Sequence, residues 1–294
     1  MPLGEILYYM KPMKFERETS NLIEDIEKEA WEDMYEAMPE DFAKDFEFDF
    51  IKLKNISLCS CKKIPFGHFN ASLGLGYPNP AIEDELDFIL EYYTQKRINS
   101  FYIHWSPNCA PADFEKTMAA KGLAEISGWD RIVRVPEIVK GKKNNKLDIS
   151  IPLNKKYKIE EVTDKNSKEW SSFIDELYGL PTSPWLLNLV GREGWYHYML
   201  KEGTKIIAVR TARIKDNTAW LGIDAPVPGI MVNDFEPDFV LSAKITEDCI
   251  KKGVEIISTV IEKHSAIQDT KAYYYWDKLG YKIAYYRKNY SIKK

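Results

Sequence analysis

Apolar positions recur with a helical period from Thr19 to Met38, where Leu22, Ile23, Ile26, Ala30, Met34 and Ala37 fall on one face and acidic residues lie opposite. Asp41 to Ala43 begins a second helix. Phe46, Phe48 and Phe50 then come in step, and Ile56-Ser57-Leu58-Cys59 reads as a strand. Asn70 to Gly76 is a strand entering a glycine-bearing turn, broken by Tyr77-Pro78-Asn79-Pro80. A helix over 81–95 carries Leu86, Ile89, Leu90 and Tyr93 on one stripe. Phe101 to Trp105 is a buried strand, Phe114 to Lys121 a helix stopped by Gly122, and Trp129 to Val135 another strand.

The pattern breaks at Lys140-Gly141-Lys142-Lys143-Asn144-Asn145-Lys146, which is polar, basic and without an apolar anchor. It then resumes. Strands are expected over 157–162, 195–200, 206–214, 218–224, 254–261 and 281–286, and helices over 167–177, 239–252 and 270–279. The two halves rhyme in order: Leu73-Gly74-Leu75-Gly76, helix, strand, helix, Lys121-Gly122-Leu123, strand; then Leu221-Gly222-Ile223, helix, strand, helix, Leu279-Gly280-Tyr281, strand. Such a repeat predicts two copies of one unit. The expected division is 1–139 and 157–294, with 140–156 as linker.

Composition narrows the function classes. A chain of 294 residues with 45% hydrophobic content can bury two cores. Its net charge of −4, with both signs mixed, argues against a nucleic-acid-binding surface. The N-terminus has no basic region followed by an apolar run, and no apolar run is long enough to span a bilayer, so a cytoplasmic protein is expected. Cys59, Cys61, Cys109 and Cys249 lack zinc-site spacing and read as small buried thiols. His68, His104, His197 and His264 show no metal pattern. No Gly-x-Ser-x-Gly elbow, Gly-Lys-Ser/Thr phosphate loop or Gly-x-Gly-x-x-Gly fingerprint is present.

The order of elements resembles the GNAT (N-acetyltransferase) superfamily, and both halves together resemble tandem GNAT proteins from about Glu29 onward. Phe69 to Gly76 looks like a segment of their first unit; Gly191-Arg192-Glu193-Gly194-Trp195 and Arg287-Lys288-Asn289-Tyr290 look like parts of their second. The resemblance implies an α+β fold: two tandem units, each a mixed, mostly antiparallel sheet flanked by helices. It further implies an acyl-pantetheine arm held between two splayed strands, here 218–224 and 254–261. Acetyl-CoA or another acyl-CoA would be the co-substrate and a small-molecule amine the acceptor, with no metal and neither nucleic acid nor membrane as partner. Residues expected at the donor are Ile223, Ala225, Asn233, Phe239 and Val240. Asp224, at the end of a splayed strand, is the favoured base, with Glu262 and His264 beside it. The tyrosine that many members place four residues before the Leu-Gly-aromatic glycine is Trp276 here, so Tyr273 and Tyr275 become the candidate proton donors.

One segment departs from the family pattern. Between Ala225 and Phe239 the only glycine is Gly229; the rest includes Asp234, Glu236, Asp238 and three prolines. Glycine lets a backbone curl around phosphate oxygens, and carboxylates repel them. The acidic residues also suit a helix start in their own right. The stretch after Gly76, with Glu83, Asp84 and Glu85, is acidic too. Three readings follow: an acyl-CoA-dependent N-acyltransferase, a related protein using a carrier-protein thioester for transfer or decarboxylation, and a non-catalytic binding protein. Trp185, Trp195, Tyr196, Tyr198 and Trp220 could line an apolar ligand cleft or pack against a twisted sheet.

Overall fold

A computed structural model describes residues 10–293 apart from 11, 65–66, 140, 148, 150 and 263–269. In chain order the elements are α1 (Arg17–Glu36), α2 (Glu40–Asp45), β1 (Phe48–Leu53), β2 (Ile56–Cys61), β3 (Ala71–Leu73), α3 (Glu83–Lys96), β4 (Tyr102–Trp105), α4 (Phe114–Ala120), β5 (Leu123–Arg134), β6 (Glu137–Val139) and β7 (Lys142–Asn144). There follow β8 (Tyr157–Glu161), α5 (Ser167–Tyr178), α6 (Ser183–Leu186), β9 (Trp195–Glu202), β10 (Lys205–Lys215), β11 (Thr218–Pro226), α7 (Pro237–Lys251), β12 (Ile256–Glu262), α8 (Thr270–Lys278) and β13 (Lys282–Ile292). The sequence periods therefore give most elements to within a few residues. The fold is α+β, with mixed, mostly antiparallel strand pairing flanked by helices.

The chain forms two compact units, and their membership does not simply follow sequence order. The N-terminal unit is built on Pro12–Arg131 and takes Ile283–Lys294 from the far end of the chain. The C-terminal unit is built on Ile132–Thr259 and includes α8. Compared with a division at 139 and 157, the last strand has changed sides.

In the N-terminal unit the strand order is β1-β2-β3-β4-β13-β5. Helix α3 lays Leu86, Ile89 and Tyr93, all fully buried, against Ile56, Leu58, Ile103 and Trp105. Burying each such side chain contributes about 2 kcal/mol. Helix α1 buries Ile23, Ile26, Ala30 and Met34 as its period requires, but it also buries Glu24 and Glu27. Sequence periodicity assigns its acidic residues to the opposite face. They turn inward because two fully buried arginines, Arg131 and Arg287, await them.

In the C-terminal unit the order is β12-β11-β10-β9-β8. Strands β8 to β11 are antiparallel neighbours, and β11 and β12 are parallel. The stretch expected as a bare linker is tied down by hydrogen bonds instead. Lys142–Asn144 pairs with Glu137–Val139 as a hairpin, Asn145 donates to the Val254 carbonyl (3.0 Å), and Arg134 donates to the Lys146 carbonyl (3.0 Å). Trp185, Trp195, Tyr198 and Trp220 are all buried in this unit, so their role is packing.

Candidate functional site: the splayed strands and the start of helix α7

The parallel pair β11–β12 is short. It registers Thr218 with Ile256, Ala219 with Ile257 and Trp220 with Ser258; β11 then runs on to Pro226 with no further rung to β12. The cause lies partly in β11 itself. Ile223 adopts a positive φ of 45°, and the register with β10 shifts between Val209 and Thr211. Ile223 and Asp224 thus stand opposite the single residue Arg210, which is a β-bulge. Bulges bend the strand that carries them, and here the bulged strand leaves its parallel neighbour.

Arg210 is 3% exposed. Its Nη1 donates to Asp238 Oδ1 at 2.5 Å and its Nη2 to Thr259 Oγ1 at 3.2 Å. The Thr259 hydroxyl donates onward to the Leu221 carbonyl at 2.9 Å. The Trp276 ring covers the guanidinium, 5.0 Å from its centroid. Trp276, the residue in the place of the family's tyrosine, therefore packs on a buried cation. Arginine suits this position because its planar, weakly hydrated head tolerates burial and stacking.

Asp238 lies in the first turn of α7, after Glu236 at the N-cap and Pro237 at the first helical position. Proline there forfeits only an N–H that the helix leaves unbonded anyway. Burial raises the Asp238 carboxyl above its ordinary value; the pull of Arg210 opposes this, and Asp224 and Glu236 add to it. The last part of the loop before α7, Val232 to Phe235, is a tight turn without glycine. Asn233 and Asp234 both have positive φ, and Val232 and Phe235 exchange backbone hydrogen bonds of 2.7 and 3.0 Å. Asn and Asp supply that conformation without glycine. The amides of Val232 and Phe235 consequently face each other within the turn.

The expected site residues distribute as follows. Ile223, Asp224 and Ala225 lie on the bulged end of β11, with Asp224 exposed and Ala225 buried. The hydroxyl of Tyr178, at the end of α5, donates to the Asp224 carbonyl at 2.5 Å. Asn233 accepts from Asn154 (3.2 Å) and donates to the Pro152 carbonyl (2.7 Å), so its side chain anchors the turn. Phe239 and Val240 are buried on α7. Tyr275 stacks on Phe239 with centroids 4.6 Å apart, and its hydroxyl reaches the Asp234 carbonyl at 3.4 Å. Burial raises the Tyr275 phenol, which keeps its proton. Tyr273 is 2% exposed and sits in the core. Glu262 belongs to the N-terminal unit, where it lies 3.6 Å from His68; His264 lies outside the described residues. Arg210, Thr259 and Tyr178 went unread in the sequence. Only the Tyr178-Gly179 pair carried a signal, as a helix end with glycine in the left-handed conformation.

The corresponding place in the N-terminal unit is closed by the chain. Strands β3 and β4 pair in parallel at Ala71–Tyr102 and Ser72–Ile103. Beyond them, Ala110 donates to the Gly76 carbonyl (2.8 Å), Ala81 donates to the Ala110 carbonyl (2.7 Å), and the Cys109 thiol lies 3.3 Å from the Leu75 carbonyl. Asn55 Nδ2 donates to the carbonyls of both Gly74 and Tyr77 at 2.6 Å. Gly76, with φ of 84°, rests against Trp105 and Cys109, where an added Cβ would come within 2.8 Å of the indole. At the start of α3, Glu83 and Asp87 pair with Lys121, and Glu85 pairs with Lys54.

The other titratable groups are structural. His104 is buried beside Asn289 (2.8 Å), and burial holds it well below its ordinary value. His197 is buried between Thr211 and the Leu189 carbonyl, and burial lowers it to about 4. All four cysteines are free and buried. Burial raises the Cys59 thiol to about 12. Among the described residues no cluster of three or more His, Cys, Asp or Glu is placed to hold a metal ion, and no helix is long and apolar enough to cross a membrane.

No protein-family model and no curated protein matches the chain. Solved structures do. A GCN5-related N-acetyltransferase from Kribbella flavida is similar over 84% of this chain and 90% of its own, with a TM-score of 0.58 and 9% identity. One from Sphaerobacter thermophilus covers 87% and 86%, with a TM-score of 0.55 and 9% identity. A GNAT-family acetyltransferase from Colwellia psychrerythraea covers 97% and 100%, with a TM-score of 0.50 and 13% identity. At such identities the likeness speaks of architecture, and over most of its length this chain has the GNAT fold.

Proposed function

We propose that the chain is an N-acyltransferase that holds an acyl thioester between β11 and β12 of its C-terminal unit and passes the acyl group to a small amine. The early end of the β11–β12 ladder carries this reading. After Trp220 and Ser258 the strands stop pairing, which leaves the β11 edge from Gly222 to Ala225 to bond the amides of a pantetheine arm by strand addition. The amine nitrogen would attack the thioester carbonyl carbon, the C–S bond would break, and the thiolate would leave. Asp224, exposed at the end of the slot, is the proposed acceptor of the amine proton. Tyr275, whose phenol keeps its proton, is the proposed donor to the thiolate, with Tyr273 second because it is more deeply buried. Ile223, Ala225, Asn233, Phe239 and Val240 would frame the donor.

Acetyl-CoA is the first donor to test, by calorimetry beside phosphopantetheine, followed by thiol release from a thioester panel with small amines. Micromolar binding and amine-dependent thiol release support the reading; absence of both from every thioester overturns it. A second reading takes the donor from an acyl carrier protein, for transfer or decarboxylation, or sees a binding protein without catalysis. Its support is the pair of helix starts, α3 and α7, each carrying its own carboxylates. Binding of phosphopantetheine without acetyl-CoA would favour the carrier form.

A further inference from the structure

The start of α7 already contains a complete ion pair. A helix of fifteen residues gathers positive partial charge and unbonded N–H groups at its first turn. Here a fully charged group joins them from beneath. Arg210 is 3% exposed, its two Nη atoms are engaged by Asp238 and Thr259, and its Nε has no hydrogen-bond partner. A buried guanidinium needs one anion close by, because an uncompensated buried charge is strongly destabilising. The carboxylate of Asp238 meets that need. The ion pairs of α3 do not have this character, since each has an exposed member: the side chain of Lys54 is 61% exposed and that of Glu83 60%.

We propose that Asp238 is a specificity-determining residue: its carboxylate is a resident anion seated against Arg210 and the α7 N-terminus, and it makes the slot select acyl thioesters of uncharged thiols over those whose arm ends in phosphate. The inference rests on the thioester reading of the slot. Its physics is a competition for one seat. A phosphate arriving at the first turn of α7 would meet Asp238, with Asp224 and Glu236 close enough to act on it, and like charges at such distances repel. The exposed Lys271 of α8, the cation facing Glu236, is already paired with it at 2.5 Å. The only buried cation at this helix start is already neutralised by Asp238, among the described contacts. The partner chemistry is therefore a neutral arm such as S-acyl pantetheine, whose amides use the β11 edge and whose end carries no charge.

The test uses inorganic pyrophosphate as an anion probe and S-acetyl pantetheine against acetyl-CoA as the donor pair. Wild type should bind S-acetyl pantetheine at least about tenfold more tightly than acetyl-CoA, a discrimination of one decade in Kd. Asp238→Asn empties the seat of charge while keeping its shape. This variant should gain pyrophosphate binding, with a thermal midpoint that rises on adding pyrophosphate while that of wild type does not. The double variant Arg210→Met with Asp238→Asn, uncharged throughout, should lose the gain. Equal binding of the two donors by wild type, or a preference for acetyl-CoA, overturns the inference and leaves the thioester reading standing. So does a pyrophosphate response in Asp238→Asn that survives in the double variant. Failure of both donors to bind strikes the thioester reading, and the pyrophosphate arm still judges the ion seat. If Asp238→Asn does not fold, the donor comparison on wild type decides alone.

Discussion

Both units contain a parallel strand pair connected by a helix with an acidic start, β3-α3-β4 and β11-α7-β12, and they treat the space beyond that pair in opposite ways. In the N-terminal unit Ala110 pairs with Gly76 and Ala81, Cys109 packs on Leu75, and Asn55 ties the turn. The chain itself takes up the hydrogen bonds that a ligand would otherwise make. In the C-terminal unit the β11–β12 ladder ends after Trp220 and Ser258; among the described contacts beyond it, Thr259 donates to the Leu221 carbonyl and Tyr178 to the Asp224 carbonyl. The lesson is that two parallel strand pairs with a similar connection can leave the space beyond them in different states. Where the backbone groups of a splay are satisfied internally, the element is structural; where they are not, it can receive an extended ligand.

The largest expected effects separate the two acidic helix starts. Arg210→Met leaves the half-buried Asp238 without its cation and should cost about 3 kcal/mol, read by denaturant unfolding. Lys121→Ala breaks the solvent-screened pairs with Glu83 and Asp87 in the N-terminal unit and should cost far less. Equal costs would break the comparison.

Glycine substitutions come next. Gly76→Ala combines a left-handed backbone with a Cβ pressed into Trp105 and Cys109, and should destabilise by about 2–4 kcal/mol. Gly229→Ala, in the loop before α7, has the same kind of φ (77°) but open space around it, so only about 1 kcal/mol is expected. Unfolding midpoints of the two variants compare the filled slot with the open one.

Acid titration sharpens the contrast further, because two buried carboxylates shift in opposite directions. Burial pushes the Glu27 pKa up, but Arg131 and Arg287 outweigh it and bring the group down to about 2. A depressed folded value means that its contribution is complete above about pH 4.5 and is lost as pH falls toward 2. Asp238 goes the other way: burial raises it above its ordinary value, and the pull of the single cation Arg210 only opposes that rise. Carboxyl NMR titration should find Asp238 protonating first and Glu27 last. A smaller effect is expected for Lys54→Ala, which takes an exposed ammonium from the largely buried Glu85 and should change stability by about 1 kcal/mol.

Much of this was legible from periodicity. The stripe Leu86-Ile89-Tyr93 gave α3, and the β-branched run from Val254 gave β12. The acidic, glycine-poor approach to α7 was legible as well, and Asn233-Asp234 carried its turn chemistry in plain sight. Arg210 was not legible. Nothing in its spacing links it to Asp238 or Thr259; the bulge at Ile223 brings them together, and a bulge is a tertiary compromise between two ladders. The transfer of β13 to the N-terminal unit was hidden for a related reason, since reading along a chain assigns each strand to its sequence neighbours. Its trace was Arg287 and Asn289, polar residues at alternate positions between Tyr286 and Tyr290. They are fully buried because Glu24 and Glu27 on α1 receive Arg287 and Asn289 Oδ1 accepts from His104 Nδ1.

The claim that the open splay is a thioester slot is tested most directly by amide hydrogen exchange with and without S-acetyl pantetheine. The account predicts new protection confined to the β11 edge, residues 222–225, and to the facing part of β12, with none at residues 74–77. Protection at 74–77, or none in either unit at a saturating concentration, would contradict it.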